Sequence, residues 1–402
     1  MKSRNANNKR FSPIPLRLYP PKWNSKLASV VIELEKLRVK QLPDAVPKAV
    51  FFQLKNIFQN LESLGSARIE GNNTTLSEFV EKIIKDPLQK NKDETLREIH
   101  NIERAIEFIE NTIHSDTQFD RALISEIHKI LVNGIVKEGS KYPGQLRPVN
   151  VSIARSNHVP PGTIKVPDYF NELMEFVNQP LEAQNHLLMI ALSHHRMAWI
   201  HPFDNGNGRL VRMFTYALLI KQGFQIKTGR ILNPTAVFCM NRDKYYEMLA
   251  LADSGEETKV LKWCSYVLEG LKVEIEKIDN LLDRNYITNV ILLPVLSYAL
   301  ENQYILKREY DILSALVKSK EMQLRSSDLN KIIGGESSVQ RSRILKKLRD
   351  KKILVPLKEN GKIYTIGFIN NYLMRAVVHV LEKNSFIPEF LNKNAEVKKY
   401  ER

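Results

Sequence analysis

A nine-residue stretch carries the densest set of side chains able to do chemistry in this sequence. It reads HPFDNGNGR from His201 to Arg209, and Arg212 follows three residues later. The glycines at 206 and 208 let backbone N–H groups turn around a concavity just before a new helix, and such a place binds anions. Arginines three residues apart share one helix face and hold phosphate oxygens in bidentate fashion. The stretch therefore predicts a polyphosphate site.

His201 stands where a preceding helix should end. Apolar spacing indicates a helix over 182–200, and Pro202 disfavours helical geometry in the residue before it. A histidine at a helix exit, beside an anion site, suits the role of general base. A plain helix–turn–helix junction with a glycine-rich turn has the same short pattern, so the loop alone leaves both interpretations open.

The stretch resembles the signature of the Fic (filamentation induced by cAMP) family, H-P-F-x-D/E-G-N-G-R-x-x-R, at eight fixed positions. Most Fic proteins transfer AMP from ATP to a hydroxyl side chain of a protein and release pyrophosphate. The resemblance implies that His201 is the base that deprotonates a Ser, Thr or Tyr hydroxyl. It also implies ATP contacts from Asn205, Gly206, Asn207, Gly208, Arg209 and Arg212 at the phosphates, and from Asn241 and Tyr246 near the adenine.

Other positions refine what the resemblance implies. Phe203 would anchor the loop in the core, and Gly208 favours AMP transfer, because relatives that phosphorylate carry Lys there. Residues 147–161 are similar to the family's flap, which pairs with an extended segment of the target protein by strand addition. The acceptor hydroxyl would be placed by that pairing.

The resemblance also implies a divalent ion, Mg²⁺ or Mn²⁺, held by the acidic residue of the signature. That position is Asn205 here, and an amide oxygen is a weaker ligand for a hard cation than a carboxylate. Asp204 lies one residue earlier, in the variable position, and substitutes only if the loop shifts. Asn205 is therefore the expected metal position, which leaves metal affinity, rate and nucleotide choice open.

A second resemblance lies about 130 residues upstream. Residues 66–71, SARIEG, are similar to the inhibitory helix signature S/T-x-x-x-E-G/N, which implies an inhibitory role for Ser66 and Glu70. A Glu70 carboxylate that reaches Arg212 would occupy the γ-phosphate clamp and bar the productive pose of ATP. In some relatives the same glutamate positions a water that removes AMP, and the sequence leaves that role open. Taken alone, the pattern is equally that of a helix stopped by Gly71.

These residues need helices to position them. In 95–114, isoleucines at 99, 102, 106, 109 and 113 step by three and four, which places them on one helix face. Helical spacing continues over 120–136, 169–177, 182–200, 210–222, 243–253 and 257–283. Residues 143–162 instead hold turn residues and a period-two alternation, which predicts a short hairpin. The predicted fold class is all-α: a Fic helical bundle with a small β-hairpin flap, plus a C-terminal winged helix-turn-helix domain.

The chain divides into five predicted units. They are a basic N-terminal tail (1–26), a helical region with the inhibitory helix (27–115), the Fic core (116–283), a linker (284–306) and a winged-helix-like domain (307–402). The last unit shows three helices and a hairpin, and its third helix carries Arg341, Arg343, Lys346, Lys347 and Arg349. This density suits phosphate contacts with nucleic acid, although such modules also dock proteins.

Charge is concentrated at the two ends of the chain. The net charge is +15; residues 1–26 hold seven basic and no acidic side chains, and residues 301–402 hold 21 basic and 12 acidic ones. The field follows the local excess, so a contact with a polyanion is expected at these ends. A solvated surface and a mobile tail are the alternative.

Composition excludes several other classes of protein. With 43% hydrophobic and 26% charged residues among 402, the chain is neither disordered nor fibrous. Cys239 and Cys264 are too few for a disulfide framework and lack the spacing of a zinc site, so a reducing cytoplasm is expected. Neither a membrane-spanning run nor an apolar signal segment is expected.

Two functional hypotheses follow. The first is a protein adenylyltransferase that modifies a target protein bound at 147–161, or itself, and is held inactive by Glu70. The second is a DNA-binding transcriptional regulator with a weakly active or inactive nucleotide-binding Fic domain. His201 favours the first and Asn205 the second. Nucleic acid at the C-terminal domain and a homo-oligomer stay open, and no membrane partner is expected.

Overall fold

The computed structural model describes residues 11–39, 46–85, 94–153, 156–224, 235–239, 241–334, 337–359 and 361–392, and most of these are helical. In chain order, the helices up to residue 281 are α1 (Lys26–Val39), α2 (Lys48–Ile69), α3 (Leu76–Lys85), α4 (Glu94–Thr112), α5 (Arg121–Val132), α6 (Val166–Asn178), α7 (Ala183–Ile200), α8 (Asn207–Lys221), α9 (Thr235–Cys239), α10 (Arg242–Ala252) and α11 (Glu257–Leu281). The mostly helical fold agrees with the predicted class.

Helix α8 is the axis of the bundle. Every side chain from Arg209 to Ile220 is buried, and α4, α5 and α7 pack around it. A helix that is enclosed on all sides has no solvent face, so its charged residues must find partners inside the protein. The isoleucine stripe of α4 is buried, as its spacing predicts. Arg209 and Arg212, near the start of α8, are therefore buried within the core.

Residues 11–22, which fall in the predicted basic tail, pack on the bundle. Ile14 and Tyr19 are buried. The Arg196 guanidinium of α7 donates to the Ile14 carbonyl at 2.9 Å and lies over the Trp199 ring. The Tyr19 hydroxyl donates to the Gly255 carbonyl at 3.2 Å. Apolar and aromatic burial, which a count of charges does not register, holds this part of the tail in place.

The structure differs from the sequence prediction at the flap. The described residues of 147–161 form no β-ladder. A buried arginine, Arg147, instead donates to the carbonyls of Val149 at 3.1 Å and Pro161 at 2.5 Å, at the two ends of the segment. These backbone oxygens bind a guanidinium and not a facing strand. The flap is therefore a loop that an arginine closes at its base.

Residues 284–301, where the sequence predicts a linker, are helical. They comprise α12 (Arg284–Tyr286), a π-helical turn (Ile287–Leu292) and α13 (Leu293–Glu301), and α13 packs on α17 (Leu373–Lys383). Ile287, Ile291 and Leu296 are fully buried. Because these apolar residues recur at helical spacing, the segment folds against the C-terminal helices and does not connect freely.

The C-terminal unit, residues 307–392, contains the elements predicted for it. In chain order they are α14 (Lys307–Lys318), β1 (Leu324–Arg325), α15 (Leu329–Ile333), α16 (Ser338–Asp350), β2 (Leu354–Pro356), β3 (Ile363–Ile366) and α17. The strands form an antiparallel sheet in the order β1-β3-β2, with Val355 opposite Thr365. The two-residue β1 was too short to predict. Within the described residues, the structure contains no helix long and apolar enough to cross a membrane.

Candidate active site

His201 closes α7, at the helix end that the sequence predicts. Its backbone N–H donates to the Met197 carbonyl at 3.1 Å, and its φ of 50° turns the chain out of the helix. A non-glycine residue adopts this left-handed conformation only where its surroundings hold it. Arg147 supplies that hold: its Nε donates to the His201 carbonyl at 2.8 Å and its backbone N–H to the Pro202 carbonyl at 2.9 Å. One buried arginine thus joins His201 to both ends of the flap.

The His201 imidazole is a neutral base. Enclosure of the ring lowers its pKa to about 4, against a smaller opposing effect of a hydrogen bond to the Ala198 carbonyl. A neutral imidazole that donates from one nitrogen carries a lone pair on the other. His201 is therefore able to accept a proton at neutral pH.

The loop between α7 and α8 is braced from two sides. Phe203 is fully buried and stacks on His128 with 3.9 Å between ring centroids. His128 Nδ1 accepts from the Gly144 N–H at 2.9 Å, so its Nε2–H donates to the Asn205 carbonyl at 2.9 Å. The Asn207 amide accepts from the N–H of Phe203 at 2.9 Å and donates to its carbonyl at 2.8 Å. Asn207 therefore shapes the loop with its side chain.

The two glycines of the loop are needed for different reasons. Gly206 has a φ of 76°, and a Cβ there would lie 2.8 Å from Val132 Cγ1. A Cβ on Gly208 would lie only 2.1 Å from Glu70 Oε1. The Glu70 carboxylate thus rests directly on the backbone of the predicted phosphate-binding loop, and only glycine permits that approach.

Glu70 reaches its place from the end of α2. It caps that helix, and its Oε1 lies 2.8 Å from NH1 of Arg212. Arg212 also donates from Nε to the Ser66 hydroxyl at 2.8 Å and from NH2 to the Ser66 carbonyl at 2.9 Å. Burial alone would raise the pKa of Glu70, but Arg212 and Arg209 overcome this and hold the pKa below its usual range. A carboxylate therefore pairs with the buried Arg212 and also feels the charge of the buried Arg209.

Arg209 pairs with a second carboxylate. Its NH1 lies 3.2 Å from Glu98 Oε1 on α4, and its NH2 donates to the Glu138 carbonyl at 2.6 Å. Asn72, two residues after Glu70, donates to Glu98 Oε2 at 2.9 Å. Burial raises the pKa of Glu98, and Arg209 opposes that shift. The Arg209 Nε, also buried, makes no hydrogen bond within the described part of the chain. A buried cationic donor without an acceptor is costly, which points to an anionic ligand.

The residues at the predicted metal position do not fit a divalent ion. Asn205 Oδ1 accepts from the Gly206 N–H at 2.8 Å. Asp204, the predicted substitute, accepts from the Ser140 hydroxyl at 2.5 Å and the Lys141 N–H at 2.8 Å, so it faces another loop. No cluster of three or more His, Cys, Asp or Glu side chains suited to a metal occurs in the described residues. This site offers one neutral oxygen and no carboxylate to a metal ion.

The predicted adenine residues divide into two groups. Asn241 Oδ1 accepts from the Lys244 N–H at 2.9 Å, so its side chain caps α10. Tyr246 is 41% exposed, with the Arg242 guanidinium 5.6 Å from its ring centroid. Arg242 also helps to lower the pKa of Glu70, although Arg212 and Arg209 act more strongly against burial. Tyr246 and Arg242 therefore lie within electrostatic range of Glu70, whereas the Asn241 side chain caps its helix.

Sequence reasoning missed three residues that shape this site: His128, Arg147 and Glu98. His128 directly follows one apolar residue of a helical stripe, and Glu98 directly precedes another. The spacing therefore indicated that both lie beside a buried helix face. Arg147 opens the flap segment, but nothing local marks it as the residue that binds His201. Their partners lie on distant elements, and a single sequence does not pair such residues.

Arg147→Lys is expected to lower any reaction that depends on His201 by about tenfold or more, while nucleotide affinity changes less than twofold. Lysine keeps the charge but is unable to donate in the fork that spans His201, Val149 and Pro161. Single-turnover rates and nucleotide titrations separate the two effects. Lys165→Ala, an exposed change after the flap, is the control. Equal losses of rate and affinity would indicate general unfolding of the site.

Acidification between pH 6.5 and 4 is expected to destabilise the fold through His128 and His201. Burial lowers the pKa of each to about 4. In that window the unfolded chain binds protons that the folded chain does not, so the free energy of unfolding falls as pH falls. The slope is up to about 1.4 kcal/mol per pH unit for each histidine. Urea unfolding at several pH values measures it, and a smaller slope in His128→Gln identifies one contributor.

Residues 118–219 match the model of the Fic/DOC family. A protein adenylyltransferase Fic from Nematostella vectensis is 26% identical over 200 residues, which are 48% of this chain and 42% of that protein. The chain thus spans less than half the length of this relative. A Fic family protein from Desulfovibrio desulfuricans has a similar fold, with a TM-score of 0.53 at 19% identity over 87% of this chain and 98% of that one. A Fic domain containing signaling protein from Bacteroides thetaiotaomicron has a TM-score of 0.50 at 17% identity, over 64% and 97%.

Proposed function

With residues 118–219 forming a Fic/DOC family domain, we propose that the chain is a protein adenylyltransferase that transfers AMP from ATP to a Ser, Thr or Tyr hydroxyl. One observation carries the proposal: a neutral His201 precedes the loop that leads into α8, the first turns of α8 hold two buried arginines, and the Glu70 carboxylate pairs with Arg212 and rests on Gly208. The Arg209 Nε, which has no acceptor among the described residues, supports a further anionic group at the same place. A polyphosphate satisfies both arginines.

The reaction follows from the positions of these groups. ATP places its β- and γ-phosphates at Arg209 and Arg212, which leaves the α-phosphorus near His201. His201 takes the proton of the acceptor hydroxyl, and the oxygen attacks the α-phosphorus. The bond from the α-phosphorus to the bridging oxygen breaks, and pyrophosphate leaves with its charge balanced by the arginines. No step is assigned to a divalent ion, because the residues at 204 and 205 do not fit one.

Glu70 blocks this reaction in the proposed resting state. Its carboxylate lies 2.8 Å from Arg212 NH1 and rests on Gly208, so it occupies the place of a terminal phosphate. Ser66 completes the block, because it accepts two further hydrogen bonds from Arg212. ATP and Glu70 are unable to use Arg212 together. Activity then requires displacement of the end of α2.

The target protein is proposed to bind along the flap, residues 147–161. Val149 is 54% exposed, and Arg147 fixes the base of the flap to the carbonyl of His201. An extended target segment bound along the flap is therefore held at a set distance from the His201 imidazole, the proposed general base.

The chain itself is a second acceptor in this proposal. Incubation of the Glu70→Gly variant with ATP should release pyrophosphate in step with the amount of modified protein, and release without modified protein would contradict the assignment.

Asn205→Asp is expected to make ATP binding respond to Mg²⁺, by about tenfold more than in the wild type. The substitution adds a carboxylate where the wild type offers a neutral amide, and a hard cation prefers the carboxylate. ATP titrations with Mg²⁺ and with a chelator measure the response. Asp204→Asn is the matched control and should leave the response unchanged, because Asp204 faces Ser140 and Lys141. An equal response in all three proteins would show that residue 205 does not decide metal use.

Nucleic-acid binding by the C-terminal unit is a second candidate function. Helix α16 exposes four of the basic side chains that the sequence singled out: Arg343, Lys346, Lys347 and Arg349. They share a helix whose buried residues are Leu345 and Leu348, so the charge faces solvent. Affinity of the full chain for duplex DNA should fall steeply with salt and weaken in Lys346→Glu/Lys347→Glu. Binding that ignores both would leave this unit as a protein-docking module.

A further inference from the structure

The C-terminal unit forms hydrogen bonds with α2, the helix that Glu70 caps. Gln53 of α2 donates to the Ile366 carbonyl at 2.8 Å and accepts from the Phe368 N–H at 2.9 Å. The Gln53 amide thus bonds a backbone carbonyl at the end of β3 and a backbone N–H two residues later. This contact lies near the start of α2, about five helical turns before Glu70. The two parts of the chain are joined by specific polar contacts as well as by packing.

A second contact lies beside Glu70 itself. The Arg68 guanidinium, 8% exposed, donates from NH2 to the Phe390 carbonyl of the C-terminal unit at 2.9 Å. Its NH1 donates to the Thr74 carbonyl at 2.7 Å. Arg68 precedes Glu70 by two residues, and Thr74 follows it by four. One side chain therefore ties both flanks of the Glu70 turn to the C-terminal unit.

A third contact continues the interface onto α3. Arg375 of α17 donates from Nε to Glu81 Oε1 at 2.5 Å and from NH2 to Glu81 Oε2 at 2.7 Å. This bidentate pair is partly exposed and lies outside the nucleotide loop. It fixes α3, which begins six residues after Glu70. The elements on both sides of the Glu70 turn are thus anchored to the same unit.

We propose that Arg68 is a positioning residue through which the C-terminal unit holds Glu70 over Gly208. When this unit moves away, Arg68 NH2 loses its hydrogen bond to the Phe390 carbonyl, and the loss of a hydrogen bond from a buried charged group is costly. The turn from Arg68 to Thr74 rearranges to satisfy it, and the Glu70 carboxylate leaves Arg212. A ligand that binds the C-terminal unit in its displaced position would activate the enzyme by the same route. This inference rests on the proposed inhibitory role of Glu70.

Charge reversal at the distant pair tests the coupling without touching the nucleotide loop. Arg375→Glu opposes Glu81 with a like charge and should tighten ATP binding by the full chain about fivefold or more. Glu81→Arg/Arg375→Glu restores the pair in reverse and should return affinity to within twofold of the wild type. Lys383→Glu, the same charge change at an exposed position of α17, is the control and should have no effect. Tightening in the control, or no restoration in the double variant, would overturn the proposal.

Arg68 is tested in the same assay. Arg68→Gln should tighten ATP binding in the same direction and speed hydrogen exchange of the amides at 70–74. In a Glu70→Gly background, Arg68→Gln and Arg375→Glu should change ATP affinity less than twofold, because nothing is left to release. Equal effects in both backgrounds would show that Arg68 does not act through Glu70.

The assay separates this proposal from the proposed function. If no variant transfers AMP but Glu70→Gly binds ATP more tightly, the transferase assignment fails and the affinity cycle still decides the coupling. If no variant binds ATP, hydrogen exchange at 70–74 decides it. Faster exchange in Arg375→Glu, with recovery in the double variant, supports the coupling. Unchanged exchange overturns it.

Discussion

Glu70→Gly should bind ATP at least tenfold more tightly than the wild type and should transfer AMP at least tenfold faster. The substitution removes the carboxylate that lies 2.8 Å from Arg212 NH1 and rests on Gly208. A hydrogen bond to a charged group contributes about 1.5–3 kcal/mol, which corresponds to a factor of about 10–150 in affinity. Titration with a fluorescent ATP analogue and single-turnover transfer measure the two effects.

Glu70→Gln is the matched variant for this prediction. It keeps the shape of the side chain and removes its charge. Its ATP affinity and its rate of AMP transfer should therefore fall between those of the wild type and those of Glu70→Gly. Without ATP, Glu70→Gly should be less stable than the wild type, because Arg212 loses an ionic partner. The two Ser66 contacts of Arg212 remain and limit that loss. ATP affinity unchanged in both variants would contradict the inhibitory role.

His201→Ala is expected to lower AMP transfer about 1,000-fold in the Glu70→Gly background. A general base contributes about 100- to 10,000-fold, and the ring is a neutral base at pH 7 because its pKa is about 4. ATP affinity should change less than twofold, since the proposed phosphate contacts come from Arg209, Arg212 and the backbone at 206–208. The separation of rate from affinity identifies a catalytic base.

A second histidine on α7 provides the control. His186→Ala removes an imidazole near the start of the helix, far along the chain from the loop, and should leave the transfer rate unchanged. The rate with Glu70→Gly alone should also be level from pH 6 to 8, because His201 does not titrate there. A rate in His201→Ala within tenfold of its parent would exclude His201 as the base.

The local geometry around His201, Arg209 and Arg212 was predictable because its signals are local. Pro202 marks the end of α7, and the structure ends that helix at Ile200 with His201 as its cap. The spacing of Arg209 and Arg212 places both in the first turns of α8, and both are buried there. Each of these inferences uses a few neighbouring residues, whose backbone geometry depends little on the rest of the fold.

The parts that sequence reasoning missed depend on distant pairs. Arg147 binds the carbonyl of His201, and Glu98 binds Arg209 across 111 positions of the sequence. The flap differs from a hairpin because a guanidinium takes the carbonyls at its base. Long-range side-chain contacts of this kind override local strand preference, which is weak in a short segment.

The distribution of charge predicted the placement of segments in the fold less well than the distribution of apolar residues did. Residues 1–26 read as a basic tail, yet Ile14 and Tyr19 pack on the bundle. Residues 284–306 read as a linker, yet Ile287 and Leu296 are fully buried. In both segments a few apolar side chains decide the placement, because burying each one stabilises the fold by about 1.5–3 kcal/mol. Surface charges contribute less.

The most direct test of AMP transfer uses ATP labelled on the α-phosphate or on the γ-phosphate. The Glu70→Gly variant is incubated with each, and label on protein is measured beside Glu70→Gly/His201→Ala. Label is expected from the α-phosphate only, on a Ser, Thr or Tyr residue, and it should be lost with His201→Ala. Label from the γ-phosphate, or α-label that persists without His201, would contradict it.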